Sequence, residues 1–149
     1  MKHRLAHLAR HLSWRHIAIL AGLATMSPAA MAEDLPVLKP GLWEFKRTVR
    51  GEIGKPLTLD SRKCTDPTAD MKKTNAMLAG QGCKFSAVAR SGNTYSFSAR
   101  CQVQGAQYES RSTMTVDGSS AYRVEVTSTG TGPGTKELLV ARRIGECRP

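Results

Sequence analysis

A chain of 149 residues has the length of one domain and is too short for a multidomain enzyme. Its 22 Lys and Arg against 12 Asp and Glu give a formal charge of +10, and its four cysteines make an even count. The charge invites a nucleic-acid reading and the cysteines a disulfide reading, and both depend on which residues belong to the working domain.

Residues 1–32 read as a secretory signal. Lys2, Arg4, Arg10 and Arg15 form a positive stretch with no acidic residue, and residues 17–26 are an apolar run that Ser27-Pro28 interrupts. Ala30-Met31-Ala32 supplies the small residues that signal peptidase requires, so cleavage is expected after Ala32. The apolar run is shorter than the roughly 20 residues of a membrane span, so no transmembrane segment is expected after processing. No cysteine follows the cleavage site and no Arg-Arg pair precedes the apolar run, which favours general export to the periplasm, or secretion. The working domain is then residues 33–149, a stretch of 117 with 18 basic and 12 acidic side chains and a net charge of +6. All four histidines (His3, His7, His11 and His16) fall in the leader, so the i, i+4 spacing of the first three has no value as a metal signal.

Within the domain, residues 33–40 carry Pro36 and Pro40 and read as an extended lead-in. Residues 42–50 alternate, with Trp43, Phe45 and Val49 on one face and Glu44, Lys46 and Thr48 on the other, the pattern of a half-buried strand. Residues 56–62 repeat the pattern after a turn at 51–55. Asp66-Pro67 is an N-cap followed by proline at the first helical position. A helix is expected over 67–79, with an apolar stripe of Ala69, Ala76, Met77 and Leu78 and Gly80 as its stop.

After Gly82 the chain reads as an antiparallel meander. A three-residue loop at Ser91-Gly92-Asn93 sets Cys83 against Cys101, Phe85 against Ala99, Ala87 against Phe97 and Ala89 against Tyr95. A turn at Gln104-Gly105 sets Cys101 against Tyr108 and Tyr95 against Met114. A third at Asp117-Gly118-Ser119 sets Met114 against Tyr122, Ser112 against Val124 and Arg111 against Glu125. All three turns gather the apolar residues on one face, which a one-residue slip would undo. A loop at 130–135 precedes a last strand at 136–144. The fold class is mainly β (α+β), a twisted antiparallel meander of about seven strands with one helix packed on a face.

Cys64, Cys83, Cys101 and Cys147 all lie in the exported part, which favours two disulfides. The hairpin register pairs Cys83 with Cys101 and leaves Cys64 for Cys147. In the chain-entropy model such bridges stabilise by roughly 3 and roughly 4.5 kcal/mol. They suit a domain in which Val, Ile, Leu and Phe make up only 21 of 117 residues, thin for a globular core. Neither zinc nor redox chemistry has its CxxC spacing here, so no metal and no cofactor is expected. The glycine-rich loop before Lys136 has the wrong order for phosphate binding and opens a strand rather than a helix.

Without histidine, Ser-His-Asp and Cys-His catalysis are excluded. Glu44, Asp60, Glu109 and Glu125 could in principle supply paired carboxylates, but each alternates outward on a strand and reads as surface charge. No Ser-x-x-Lys motif suggests a Ser/Lys nucleophile. Basic pairs at Lys46-Arg47, Arg62-Lys63, Lys72-Lys73 and Arg142-Arg143 lack interleaved aromatics, and export argues against nucleic acid. Partners that suit a positive exterior are an anionic envelope component or an acidic protein. On the inner face, Trp43, Phe45, Phe85, Phe97, Tyr108 and Tyr122 are the candidate residues facing an apolar ligand between helix and sheet, the competing reading being plain core.

Pro40-Gly41-Leu42-Trp43-Glu44, Cys64 before a helix, Gly82-Cys83-Lys84, the Gly92-Asn93 hairpin with Cys101, and the ending from Arg142 through Gly145-Glu146-Cys147-Arg148-Pro149 together carry a resemblance. The chain resembles the small exported bacterial proteins grouped as domain of unknown function 3617. The resemblance implies a periplasmic or secreted single domain with a four-cysteine pattern, and it supplies no catalytic residues. The function expected is a non-enzymatic binding or envelope-interaction module. The alternatives are a small hydrolase using carboxylates or Ser/Lys, and a basic-faced inhibitor or assembly partner.

Overall fold

The computed structural model describes residues 35–148. The leader, its cleavage point at Ala32, and Pro149 lie outside the described residues. One eight-stranded antiparallel sheet is accompanied by a single helix: β1 Gly41–Gly51, β2 Leu57–Thr65, α1 Pro67–Gly80, β3 Cys83–Phe85, β4 Ala89–Ser91, β5 Thr94–Val103, β6 Ala106–Asp117, β7 Ala121–Gly130 and β8 Thr135–Gly145. The order across the sheet is β2-β1-β8-β7-β6-β5-β3, with β4 also pairing β5. The last strand thus returns beside the first, and α1 connects the two edges.

The mainly β reading with one helix stands, with eight strands in place of seven. The extra one arises where the β3 edge breaks. Cys83 faces Cys101 and Phe85 faces Ala99 as the hairpin register requires, but Ala89 faces Ser96 and Arg90 faces Tyr95. The turn is the two residues Gly92-Asn93, between the paired Ser91 and Thr94. The residue it gives up is taken into the irregular stretch 86–88, so neither Ala87–Phe97 nor Ala89–Tyr95 forms. The Gln104-Gly105 turn falls as expected, with Cys101 opposite Tyr108 and Tyr95 opposite Met114. Both turn residues have positive φ, 49° and 82°, the geometry that matches strand twist in a two-residue hairpin. The third turn is displaced. Asp117 pairs with Ala121, so Met114 meets Val124, Ser112 meets Val126 and Arg111 meets Thr127. That is a two-residue slip from the expected pairs, and it leaves every side chain on its expected face.

The helix begins where the caps place it. The Ala69 N–H donates to Asp66 Oδ1 at 3.1 Å, and Pro67 opens the first turn. Its inward face differs from the expected stripe. Ala69, Ala76 and Met77 are exposed, while Pro67 is buried and Met71, Asn75 and Leu78 are half-buried, a spacing of three to four residues. Met71 packs against the core.

The core sits at one end of one sheet face. Trp43, Tyr95, Met114, Val116, Tyr122 and Ala141 are buried there, with Trp43 fully enclosed and its ring 5.6 Å from that of Tyr122. The lead-in closes this end. Leu35 and Leu38 are buried. The Leu38 N–H donates to Thr68 Oγ1, whose hydroxyl donates to the Pro36 carbonyl, each at 2.9 Å. The Lys39 N–H donates to the Ser119 carbonyl. The extended segment is thus clamped between helix and β6–β7 turn.

Candidate functional site

Strand registers divide the inner face into a closed end and an open end. At the closed end, Leu38, Trp43, Tyr122 and Met114 fill the space beneath the helix and lead-in. Trp43 and Tyr122, placed among the ligand-facing candidates, are buried in this core cluster. The other four candidates lie on the same face toward the open end: Phe45, Phe85 and Phe97 are half-buried and Tyr108 is exposed.

The open end has a graded floor. On the central strands its inward positions are mostly small or hydroxylated, Ala99 opposite Ser110 and Ser110 opposite Ser128, with Val126 opposite Ser112; Ala99 and Ser112 are buried. Larger apolar side chains flank them. On one side are Phe85, Phe97 and Tyr108, and on the other Phe45, Val49, Leu57 and Leu59. Leu57 and Leu59 are 58% and 51% exposed and Tyr108 is 46% exposed. An exposed apolar set of this extent on one face of a sheet marks an interaction surface more often than an ordinary exterior. Leu57 and Leu59 are not among the ligand-facing candidates of the sequence, and the alternation over residues 56–62 is the signal that places them on this face.

Tyr108 is held in place by its neighbour. A Cβ at Gly130 would stand 2.6 Å from Tyr108 Cδ1 and 2.8 Å from the Gln107 carbonyl oxygen. The ring therefore lies against bare β7 backbone, directly across from it in register.

One ion pair sits within the open face. Arg47 Nε and Nη2 donate to the two Glu137 oxygens at 2.7 and 2.6 Å. The planar fork matches the carboxylate in a two-bond pair, and the Glu137 carboxylate holds the guanidinium pKa above its ordinary value. Both residues belong to the inward set that carries Phe45 and Leu139.

The outer face is polar and self-paired. Arg62 Nε and Nη2 both donate to Glu44 Oε1, at 3.0 and 2.8 Å, and Arg142 reaches the other oxygen at 3.3 Å. These hydrogen bonds hold the Glu44 carboxyl below the ordinary carboxylate range. Glu109 lies 3.7 Å from both Arg100 and Arg111, and Glu125 pairs with Arg123. A general acid needs a carboxyl whose pKa is raised, and Glu44 is shifted the opposite way. An open groove of about 780 Å³ lies where β5, β6 and β7 end, lined by Lys84, Arg100, Gln102, Gln107 and Glu109 of this face and by Tyr108 of the inner one. Among the described residues no three His, Cys, Asp or Glu side chains group to hold a metal, and no helix is long and apolar enough to cross a membrane.

The cysteines are paired Cys83–Cys101 and Cys64–Cys147. The first joins β3 to β5. The second ties edge strand β2 to the tail after β8 across the intervening β1.

A family model described as protein of unknown function (DUF3617) matches residues 38–147. No curated protein and no solved structure matches the chain.

Proposed function

The chain belongs to this family of proteins of unknown function, and we propose that it is an exported, non-enzymatic binding module of the cell envelope that takes an apolar or amphipathic ligand on the open end of its inner sheet face. One observation carries the reading. Phe45, Leu57, Leu59, Phe85, Phe97 and Tyr108 lie on one face beyond the closed core, around a floor of alanine and serine. Small inward residues flanked by larger apolar side chains suit an apolar ligand, and apolar walls with few polar groups are the usual lining of small-molecule sites. The site lies beside the helix-covered core rather than between helix and sheet. Arg47, though bound to Glu137, is half-exposed within the face and can offer its remaining donors to a ligand carboxylate or phosphate.

Export to the periplasm, or secretion, after cleavage behind Ala32 accompanies this reading. Two disulfides persist in an oxidising compartment and are rare in the cytosol.

The test is native mass spectrometry of protein expressed from the full-length sequence and recovered from the periplasm, followed by titration with a fluorescent apolar probe, 1-N-phenylnaphthylamine. The expected result is a chain beginning at Glu33, lighter by the hydrogens of two disulfides. It should bind the probe saturably, with binding weakened at least tenfold by Val126→Glu. Saturable binding unaffected by Val126→Glu, or no binding at all, would overturn the site.

A further inference from the structure

The two edges of the sheet are not alike. At one, β3 and β4 are three residues each and are separated by the irregular stretch 86–88. At the other, β2 runs unbroken for nine residues, paired along its length with β1 on one side only, and eight of its nine residues are exposed. Such an edge presents a row of unpaired backbone N–H and C=O groups, and charged residues ordinarily protect it from adding another strand. Asp60, Arg62 and Lys63 supply the charge here, but their positions reject only some partners.

We propose that β2 is a homodimer interface, in which the β2 edges of two copies pair antiparallel about a two-fold axis at Ser61. Leu57–Thr65 is centred on Ser61, so this register overlaps the whole strand, Leu57 of one copy opposite Thr65 of the other. In the same register Asp60 of each copy faces Arg62 of its partner, twice, on the outer face. Sliding by two residues in one direction puts Asp60 against Asp60. Sliding in the other direction puts Arg62 against Arg62. Like charges directly opposite one another disfavour both neighbouring registers. Full overlap and charge complementarity select one alignment, and that coincidence identifies the occupant as a second copy of this chain.

The side chains are free to serve. Asp60 has Lys46 as its cross-strand neighbour but no ion pair within 4.0 Å among the described residues. Arg62 spends Nε and Nη2 on a single Glu44 oxygen, leaving its other terminal nitrogen for an incoming carboxylate. On the inner face Lys63, its ammonium held by Asp70 at 2.8 Å, lays its methylene stem toward Leu59 of the partner. The assembly would run 16 strands through the seam and set the open end of each copy beside the closed end of its partner, Leu57 against Thr65 and Leu59 against Lys63.

The test uses the full chain, expressed with its leader, in sedimentation velocity across a concentration series. Wild type should dimerise. Asp60→Arg and Arg62→Asp should each weaken the dimer by about tenfold or more, since each sets two like-charge pairs at the seam. Their equimolar mixture should recover a heterodimer, because one variant then presents only arginine and the other only aspartate at these positions. Ser61→Cys leaves the charges intact and reads the register independently: on oxidation it should give a dimer linked through Cys at position 61, identified by peptide mapping. A monomeric wild type overturns the proposal, as does a mixture of folded variants that stays monomeric. A wild-type-like Ser61→Cys dimer that does not cross-link overturns the register.

Discussion

Gly41 lies where a side chain would collide with Arg143 Nε and, at 2.6 Å, with the Gly145 carbonyl oxygen. The Arg143 Nε–H donates to the Pro40 carbonyl at 2.9 Å, and the neighbouring Arg142 reaches Glu44. The two ends of the chain that carry the family resemblance, residues 40–44 and 142–147, therefore meet in one joint, which the Cys64–Cys147 bridge closes. Those residues build a structural seam on the first and last strands. The exposed apolar side chains of the inner face lie elsewhere, on residues outside that pattern.

Gly41→Ala should accordingly destabilise the domain while leaving the proposed ligand face intact. Overpacking against backbone that cannot move away costs about 1–3 kcal/mol. Urea unfolding would read the loss, and probe binding at a temperature where the variant is folded should be unchanged. Equal stability of variant and wild type would show that the joint yields freely.

The closed and open ends of the inner face should respond differently to truncation. Trp43→Ala removes a fully enclosed side chain packed on Tyr122 and should cost about 3–5 kcal/mol. Leu59→Ala removes a side chain that is already half in water and should change stability by no more than about 0.5 kcal/mol. Denaturant midpoints of the two variants check the contrast. A large loss at Leu59 would mean that something covers the open end.

Which of these features the sequence discloses follows from what each pattern can distinguish. Alternation assigns a residue to a face, so the inner set from Trp43 to Tyr122 was legible. Alternation is blind to a slip of two, which is why the Asp117 turn gave the right faces with the wrong partners, Met114 meeting Val124 and not Tyr122. The helix was legible from Asp66-Pro67, but its stripe was not. Of the expected Ala69, Ala76, Met77 and Leu78, only Leu78 faces inward, because tertiary packing selects Met71 and Asn75. Division of the inner face into a buried core and an exposed end depends on Leu35 and Leu38 in a proline-containing lead-in without periodicity. Nothing in the pattern said that this segment folds over one end only.

Removing the bridges one at a time should rank them by loop length. Cys64 and Cys147 are 83 residues apart and Cys83 and Cys101 are 18 apart. In the chain-entropy model the double serine variant of the long bridge should lose about 4.5 kcal/mol and that of the short one about 3. Thermal unfolding of both variants measures the order. The long bridge also anchors β2, so its loss should raise protection-free exchange along residues 57–65 before the rest of the sheet.

Acid should weaken the fold through three carboxylates. Arg62 and Arg142 lower Glu44, Lys63 and Thr65 lower Asp70, and Arg143 lowers Glu146. A carboxyl whose folded value lies below its unfolded one stabilises fully above the unfolded value and loses that contribution as pH falls through the folded value. The ordinary values are 4.5 for glutamate and 3.8 for aspartate, so stability should be level above that range and decline below it. Glu44→Gln should lower stability at neutral pH and approach wild type as pH falls. A constant difference between the two at every pH would remove Glu44 from the acid response.

Base should act through Tyr122. Burial first, and then the Asp70 charge, push its phenol from 10.0 up to about 12. Here the folded value lies above the unfolded one, so the contribution is complete below pH 10 and is lost as pH rises toward 12. The cause is the cost of forming tyrosinate in the closed end of the core, beside Trp43 and away from water. An ultraviolet titration should show a late-ionising phenol that Tyr122→Phe removes, and that variant should keep its stability further into the alkaline range than wild type. A phenol at position 122 that titrates at its ordinary value of 10.0 would mean that the lead-in and helix do not seal the closed end.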